Sequence, residues 1–380
     1  MNNLNDLIRI WCLLLILVAC NQDDNMDGIP DYVTVPCVIN SVSVIEPHKV
    51  NTRATIEDGD SIGVFLTDDV AANGAGSTRK YSDRNNCKYT KVTGKWTPID
   101  DENTVSLAEG VYANLWAIYP YHADKENGLD YTDRTAIPLK SRLYSAAKDL
   151  CYGKGTGATD ETSFAQPAGS KVPVDISFLN MDHAYSWVVF RINRHLYTKA
   201  AKLSKVKVSN VLTYTTLDIT NGTYAGNAST PEPGIAEKVD ETIPELETDY
   251  VEVGFLIVPC TLESIGTILG VADCGMKVDL TVDGDVYTLG IPRSKLPQLE
   301  AGKKYLIEIT VQGAHGIVIA PDGVSTIDWP APTTASGDLR GIELGTSALS
   351  VYFINLWKLG TRSEERSVGK ECRSRWSPYH

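Results

Sequence analysis

The sequence is dominated by short segments rich in β-branched and aromatic residues, separated by turn residues and without a long stretch of helical periodicity. Such segments are typical of strands, and pairs such as Asn221-Gly222 and Asp283-Gly284 are typical of two-residue hairpin turns. Residues 110–121 are apolar at successive positions, which predicts a central strand covered on both faces. Other strands are predicted at 33–44, 61–66, 183–192, 203–209, 211–219, 250–258, 276–283, 285–291, 304–313 and 316–320. The pattern predicts an all-β protein.

Residues 153–170 interrupt this pattern because they contain few large apolar residues and many Gly, Ser, Thr and Ala. This composition is typical of a linker or a long surface loop. We therefore predict two tandem β-sandwich domains, at residues 33–160 and 161–335. A short helix is predicted at 141–150.

The N-terminus predicts export and lipid attachment. Residues 1–19 contain an apolar run, Ile10–Val18, that is long enough for a signal peptide and too short for a membrane-spanning helix. The string Leu-Val-Ala-Cys that ends at Cys20 resembles a bacterial lipobox, which predicts cleavage before Cys20 and acylation of its sulfur. An ordinary signal peptide with an incidental cysteine is the alternative.

Residues 20–32 form an acidic tether, for which a second interpretation stays open. Asp23, Asn25, Asp27, Gly28 and Asp31 have the spacing of an EF-hand loop, but Thr34 stands where a bidentate Glu is expected. A solvated tether is the better supported interpretation.

The net charge of −13 argues against a nucleic-acid partner. Residues 361–380 resemble a translated sequencing adapter, so we set them aside, and residues 336–360 are an extension of doubtful origin.

Of the eight cysteines, five remain between Cys20 and the tail, and no two of them form a CxxC pair. The expectation is therefore buried thiols with at most one disulfide, and no structural metal site.

Few residues have the spacing that chemistry requires. His183 has no second His, Cys or paired carboxylate at metal-ligand spacing, so a structural histidine is expected. Trp116, Tyr119 and Tyr121 could form a sugar-stacking platform, but core packing is expected of aromatics on a central strand. No Ser can be tied to a His and an Asp by spacing, and the sequence lacks a phosphate-binding loop. We therefore predict neither an enzyme nor a cofactor.

Several strings, in this order, resemble the fimbrillin family of anaerobic oral and gut bacteria, whose members build surface fimbriae from lipoprotein precursors. They are Thr52–Thr55 (TRAT), Gly59–Phe65 (GDSIGVF), Ala117–Tyr121 (AIYPY), Met181–Ala184 (MDHA), Leu299–Val311 (LEAGKKYLIEITV) and Ile327–Trp329 (IDW). The resemblance implies two transthyretin-like β-sandwich domains and a structural role in fimbriae at the outer membrane and cell surface.

The resemblance also implies a maturation step. In fimbrillins an Arg-specific protease cuts the loop after the first strand, and Arg53-Ala54 lies in such a place after segment 33–50. Other fimbrial subunits would then replace the lost strand by strand exchange, and the fimbria would contribute to adhesion. Two alternatives stay open: an anchor subunit that keeps its lipid, and a monomeric surface lipoprotein that binds a glycan or a host protein.

Overall fold

A computed structural model of the chain describes residues 34–44, 56–78, 80–126, 128–226, 228–230, 234–245, 249–312 and 316–328. Within these ranges the protein is almost entirely β-structure, which confirms the predicted class. One four-residue helix, α1 (Val70–Asn73), is capped by Asp69, whose carboxylate accepts hydrogen bonds from two backbone amides. No helix among the described residues has the length and apolar character needed to cross a membrane.

The strands of the first half are β1 (Thr34–Pro36), β2 (Val38–Val44), β3 (Ser61–Asp68), β4 (Arg84–Val92), β5 (Lys95–Pro98), β6 (Ser106–Ala108), β7 (Ala113–Tyr119), β8 (Lys125–Glu126), β9 (Leu129–Asp130), β10 (Ile137–Lys140), β11 (Arg142–Leu143) and β12 (Cys151–Lys154). Those of the second half are β13 (Asp175–His183), β14 (Ser186–His195), β15 (Lys202–Ser209), β16 (Tyr214–Asp218), β17 (Thr223–Tyr224), β18 (Ile235–Thr242), β19 (Val251–Ile257), β20 (Cys260–Thr261), β21 (Cys274–Val282), β22 (Asp285–Pro292), β23 (Gln298–Leu299), β24 (Lys303–Gln312) and β25 (Gly316–Asp328).

A seven-stranded sheet organises the first part of the protein, in the order β2-β13-β12-β7-β3-β4-β5. One of its faces covers a core that includes Ile62, Val64 and Leu66 from β3. The predicted central strand is β7, which pairs with β12 on one side and β3 on the other. Its position explains why residues 110–121 are apolar at successive positions, since both faces of β7 are covered.

A β-sandwich forms the last part of the protein. A five-stranded sheet, β11-β19-β14-β24-β25, faces a four-stranded sheet, β18-β15-β21-β22. Alternate residues of the two sheets, such as Phe190 and Val278, share one core. The predicted Asp283-Gly284 turn joins β21 to β22, and both turn residues have the positive φ that this type of hairpin requires.

A third core lies between the seven-stranded and five-stranded sheets. It combines Phe65 and Trp116 from the first sheet with Trp187 and Leu256 from the second. The small sheet β10-β16-β17 adds Ile137 and other apolar side chains to it. Each of the two larger sheets therefore has one face in its own core and the other in a shared one.

The domain boundary predicted at 160/161 does not separate the sheets of the two halves. Strand β13 lies after the predicted boundary at 160/161 but belongs to the seven-stranded sheet, whereas β10 and β11 lie before it and pair with β16 and β19. The predicted linker is also structured, since Phe164 exchanges two backbone hydrogen bonds with Ala113.

Close packing explains why this segment has small residues. A β-carbon at Gly155 would lie 3.1 Å from Ile176 Cγ2 and 3.3 Å from both Leu115 Cβ and Phe178 Cε1.

Residues 141–150 contain β11 and a single 3-10 turn (Ala146–Lys148) in place of the predicted helix. The five cysteines between Cys20 and the tail are buried free thiols, as expected.

Candidate functional site

The predicted processing sites lie outside the described residues. These are Cys20 with the signal peptide and the tether, the Arg53-Ala54 bond, the extension at 336–360 and the tail at 361–380. The structure does describe both flanks of the predicted cleavage loop, because β2 ends at Val44 and the chain is described again from Ile56.

The N-terminal segment, residues 34–44, belongs to two sheets. Strand β1 pairs antiparallel with β6, and β2 pairs in parallel with β13 at the edge of the seven-stranded sheet. Between the two strands, the Cys37 amide donates to the Val105 carbonyl at 2.9 Å and the Val38 amide donates to the Val174 carbonyl at 2.9 Å. The segment is therefore an edge component that other parts of the chain hold through backbone hydrogen bonds.

Side chains of the N-terminal segment alternate between core and solvent. Val35, Cys37 and Ile39 are buried, whereas the residues between them, such as Val38, are exposed. Burial of the Cys37 thiol raises its pKa to about 12. The alternation has the two-residue period of a strand with one covered face.

A second locus, the Asp149–Cys151–His183 cluster, forms where β12 meets β13. Cys151 and His183 are direct partners in this antiparallel pair. Asp149 follows the 3-10 turn, and its amide donates to the Ala146 carbonyl, which directs the chain into β12. Strand pairing and the preceding turn thus bring three different side chains together.

The side chains of Asp149 and Cys151 both lie close to one nitrogen atom of His183. His183 Nδ1 lies 2.7 Å from Asp149 Oδ2 and 3.5 Å from Cys151 Sγ. Cys151 and Asp149 are buried, while the His183 side chain is 12% exposed. The group is therefore almost closed, and the Asp149 side chain, at 10%, is exposed to nearly the same small extent as that of His183.

Burial dominates the electrostatics of the cluster. Desolvation raises the pKa of the Asp149 carboxyl, and the hydrogen bond and charge of His183 oppose this shift. Desolvation also raises the pKa of the Cys151 thiol well above its usual range, and the nearby Asp149 and Asp182 charges add to the effect. A buried thiol of this kind is a poor nucleophile.

The sequence spacing did not reveal this cluster. His183 is 32 residues from Cys151 and 34 from Asp149 along the chain, so its partners could not be recognised from spacing. The only local signal is the Asp-x-Cys order at the start of β12. It gains meaning only when the register between β12 and β13 is known.

Core packing is expected of the aromatic residues of β7, and the structure buries Trp116 but only half-buries Tyr119. Trp116 is 8% exposed and belongs to the core shared by two sheets, with the Lys154 ammonium 5.8 Å from its ring centroid. Tyr119 donates to Asp60 Oδ2 at 3.2 Å and is half-buried. Because Trp116 is covered, these residues do not form a flat exposed platform for a sugar.

Comparisons with solved structures found similar chains. The structure of a proposed cell adhesion protein from Bacteroides ovatus aligns with a TM-score of 0.51 at 16% identity, over 80% of this chain and 99% of that chain. A proposed cell adhesion protein from Bacteroides uniformis gives 0.47 at 19% identity, over 77% and 99%. The tip fimbrial protein Mfa3 from Porphyromonas gingivalis, with a C-terminal truncation, gives 0.38 at 10% identity, over 78% and 99%.

A search among curated proteins gave no match. At these identities the first structural similarity establishes a common fold and nothing more about activity. The family assignment depends on the sequence itself. Because a fimbrillin-like family model matches residues 50–329, which is most of the sequence, this chain belongs to the fimbrillin-like family.

Proposed function

We propose that this protein is a structural, non-enzymatic subunit of cell-surface fimbriae that assembles with other fimbrial subunits by exchanging its N-terminal strand. Membership of the fimbrillin-like family supports a fimbrial role at the cell surface. The finer steps are our proposal: lipidation at Cys20 in the outer membrane, cleavage of the Arg53-Ala54 bond by an Arg-specific protease, and replacement of the lost segment by a strand from another subunit. The resulting fimbria contributes to adhesion.

The position of the N-terminal segment is the observation that carries the strand-exchange proposal. Strand β2 is an edge strand with β13 as its hydrogen-bonded neighbour in the sheet. Ser41 Oγ also donates to Ser177 Oγ at 3.1 Å, so the contact includes side chains. An edge strand can leave without breaking the pairs between the remaining strands of the sheet.

Loss of the segment would uncover an apolar groove. The buried side chains of Cys37 and Ile39 share a core with residues such as Val105 and Phe178, and Val35 is buried as well. Burial of one aliphatic side chain of this size stabilises a fold by about 1.5–3 kcal/mol. The groove would also expose unpaired backbone groups along β13 and β6. A strand from another subunit, with the same alternation, would cover both at once.

The experiment is a limited digestion of the purified full-length chain with an Arg-specific protease. We expect an early product that begins at Ala54, followed by oligomers that resist unboiled SDS electrophoresis. The matched control is Arg53→Lys, which keeps the charge but removes the recognition site. It should stay uncut at this position and remain monomeric.

Two outcomes would contradict the proposal. A wild-type product that begins at Ala54 and remains a stable monomer would favour a monomeric surface lipoprotein. Resistance of the Arg53-Ala54 bond, while other arginine bonds in the folded chain are cut, would favour an anchor subunit that keeps its lipid.

A further inference from the structure

The Asp149–Cys151–His183 cluster combines the ligand types of a transition-metal site. Within the described ranges it is the one place where three such side chains converge, with their ligand atoms all within 4.8 Å of one another. An imidazole nitrogen, a thiolate sulfur and a carboxylate oxygen are all common zinc ligands. The residues come from a turn and two paired strands, so the protein backbone holds them in place.

One oxygen of the cluster is left unsatisfied. Asp149 is 8% exposed, and its Oδ1 atom accepts no hydrogen bond from any residue that the structure describes. A buried carboxylate oxygen without a partner is costly, and native structures seldom retain one without a reason. A cation that this carboxylate binds through both of its oxygens would remove that cost.

Of the two separations measured from His183 Nδ1, one matches a tetrahedral zinc site and the other is shorter than in such a site. With usual zinc–ligand bond lengths, a sulfur and a nitrogen ligand lie about 3.5 Å apart and a nitrogen and an oxygen ligand about 3.3 Å apart. The observed separation of Cys151 Sγ and His183 Nδ1 is 3.5 Å. His183 Nδ1 and Asp149 Oδ2 are 2.7 Å apart, so the Asp149 carboxylate would have to move outward by about 0.6 Å.

We propose that Asp149, Cys151 and His183 bind one divalent ion of the zinc class. Binding forms a metal–sulfur bond, and the thiol proton passes to solvent. The imidazole proton must then lie on Nε2, so that Nδ1 offers its lone pair to the ion. The two anionic ligands balance the charge of the ion, which makes a buried site electrostatically acceptable.

The bound ion would cross-link β12 to β13. Because β13 is also the neighbour of β2, the ion would fix the sheet edge on which the N-terminal segment lies. The site itself uses none of the residues of the N-terminal segment. It therefore stands whether or not the protein exchanges strands.

The test is a Co²⁺ titration of the full-length, metal-stripped chain under reducing conditions, followed by absorption spectroscopy. Cobalt replaces zinc and gives a thiolate-to-metal charge-transfer band only when a cysteine sulfur binds it. We expect one equivalent of Co²⁺ to produce this band and an equivalent of Zn²⁺ to abolish it. Cys151→Ser should lose the band, and His183→Gln and Asp149→Asn should weaken Co²⁺ binding by about tenfold or more.

The matched control is Cys260→Ser, because Cys260 is also a buried free thiol but lies outside the cluster. It should titrate as the wild type does. A wild-type chain without the band, or a band that survives in Cys151→Ser, would overturn the proposal. If Cys151→Ser does not fold, unchanged Co²⁺ affinity of the folded Asp149→Asn and His183→Gln variants would overturn it equally.

Discussion

The burial of Ile39 in β2 makes the contribution of the N-terminal segment to stability measurable. Ile39 is 2% exposed and belongs to the first core, whereas its neighbour Val38 is 42% exposed on the other face of the same strand. Ile39→Ala should therefore destabilise the folded chain, and Val38→Ala should change its stability little. The two variants test the side-chain alternation on which the strand-exchange proposal depends.

The magnitude follows from the atoms removed. Ile39→Ala deletes three buried carbon atoms, which at about 0.8 kcal/mol each accounts for about 2.4 kcal/mol. The cavity adds to this loss, so the free energy of unfolding should fall by about 3 kcal/mol, within the usual range for such substitutions. Val38→Ala removes exposed atoms and should cost about 0.5 kcal/mol or less.

Urea unfolding of the uncleaved full-length chain provides the assay, with circular dichroism and tryptophan fluorescence recorded together. Trp96, one of seven tryptophans, is buried in the same core as Ile39, so the fluorescence signal includes a reporter within that core. If the two signals give separate transitions, the transition that Ile39→Ala shifts identifies the unit to which β2 belongs. Equal losses for the two variants, or a loss below about 1 kcal/mol for Ile39→Ala, would refute the packing of β2 into the core.

Two further predictions concern other parts of the fold. Burial raises the pKa of Tyr185 from 10.0 to about 12, so its contribution to stability is present below pH 10 and is lost as the pH rises from about 10 to 12. Tyr185→Phe should flatten this alkaline loss, and an unchanged slope in pH-dependent unfolding would contradict the assignment. Gly155→Val should lower the free energy of unfolding by about 2 kcal/mol, because its side chain would meet Ile176, Leu115 and Phe178. Gly226→Ala has open space and serves as the control; equal urea midpoints for the two variants would show that residues 153–170 pack loosely.

The sequence alone determined that the protein is all-β and where many of its strands lie, although strands such as β4 and β18 were not predicted. Each predicted strand contains or overlaps an observed one, because β-branched composition and turn residues act over a few neighbouring positions. The Asp283-Gly284 hairpin could be predicted for the same reason, since its strands are adjacent in sequence and the turn residues select its geometry.

The tertiary structure decided which strands are neighbours. No local signal could place β13 in the first sheet or pair β2 with it in parallel, because these contacts join residues that are far apart in sequence. The low content of large residues in 153–170 predicts a linker, yet in the fold the small residues allow close approach to large ones. The Asp149–Cys151–His183 cluster could not be predicted for a related reason. The two-residue period of a strand fixes the face of the sheet on which a side chain lies, but it does not fix the register between two strands. Only the packing of the whole chain selects the register that places Cys151 opposite His183.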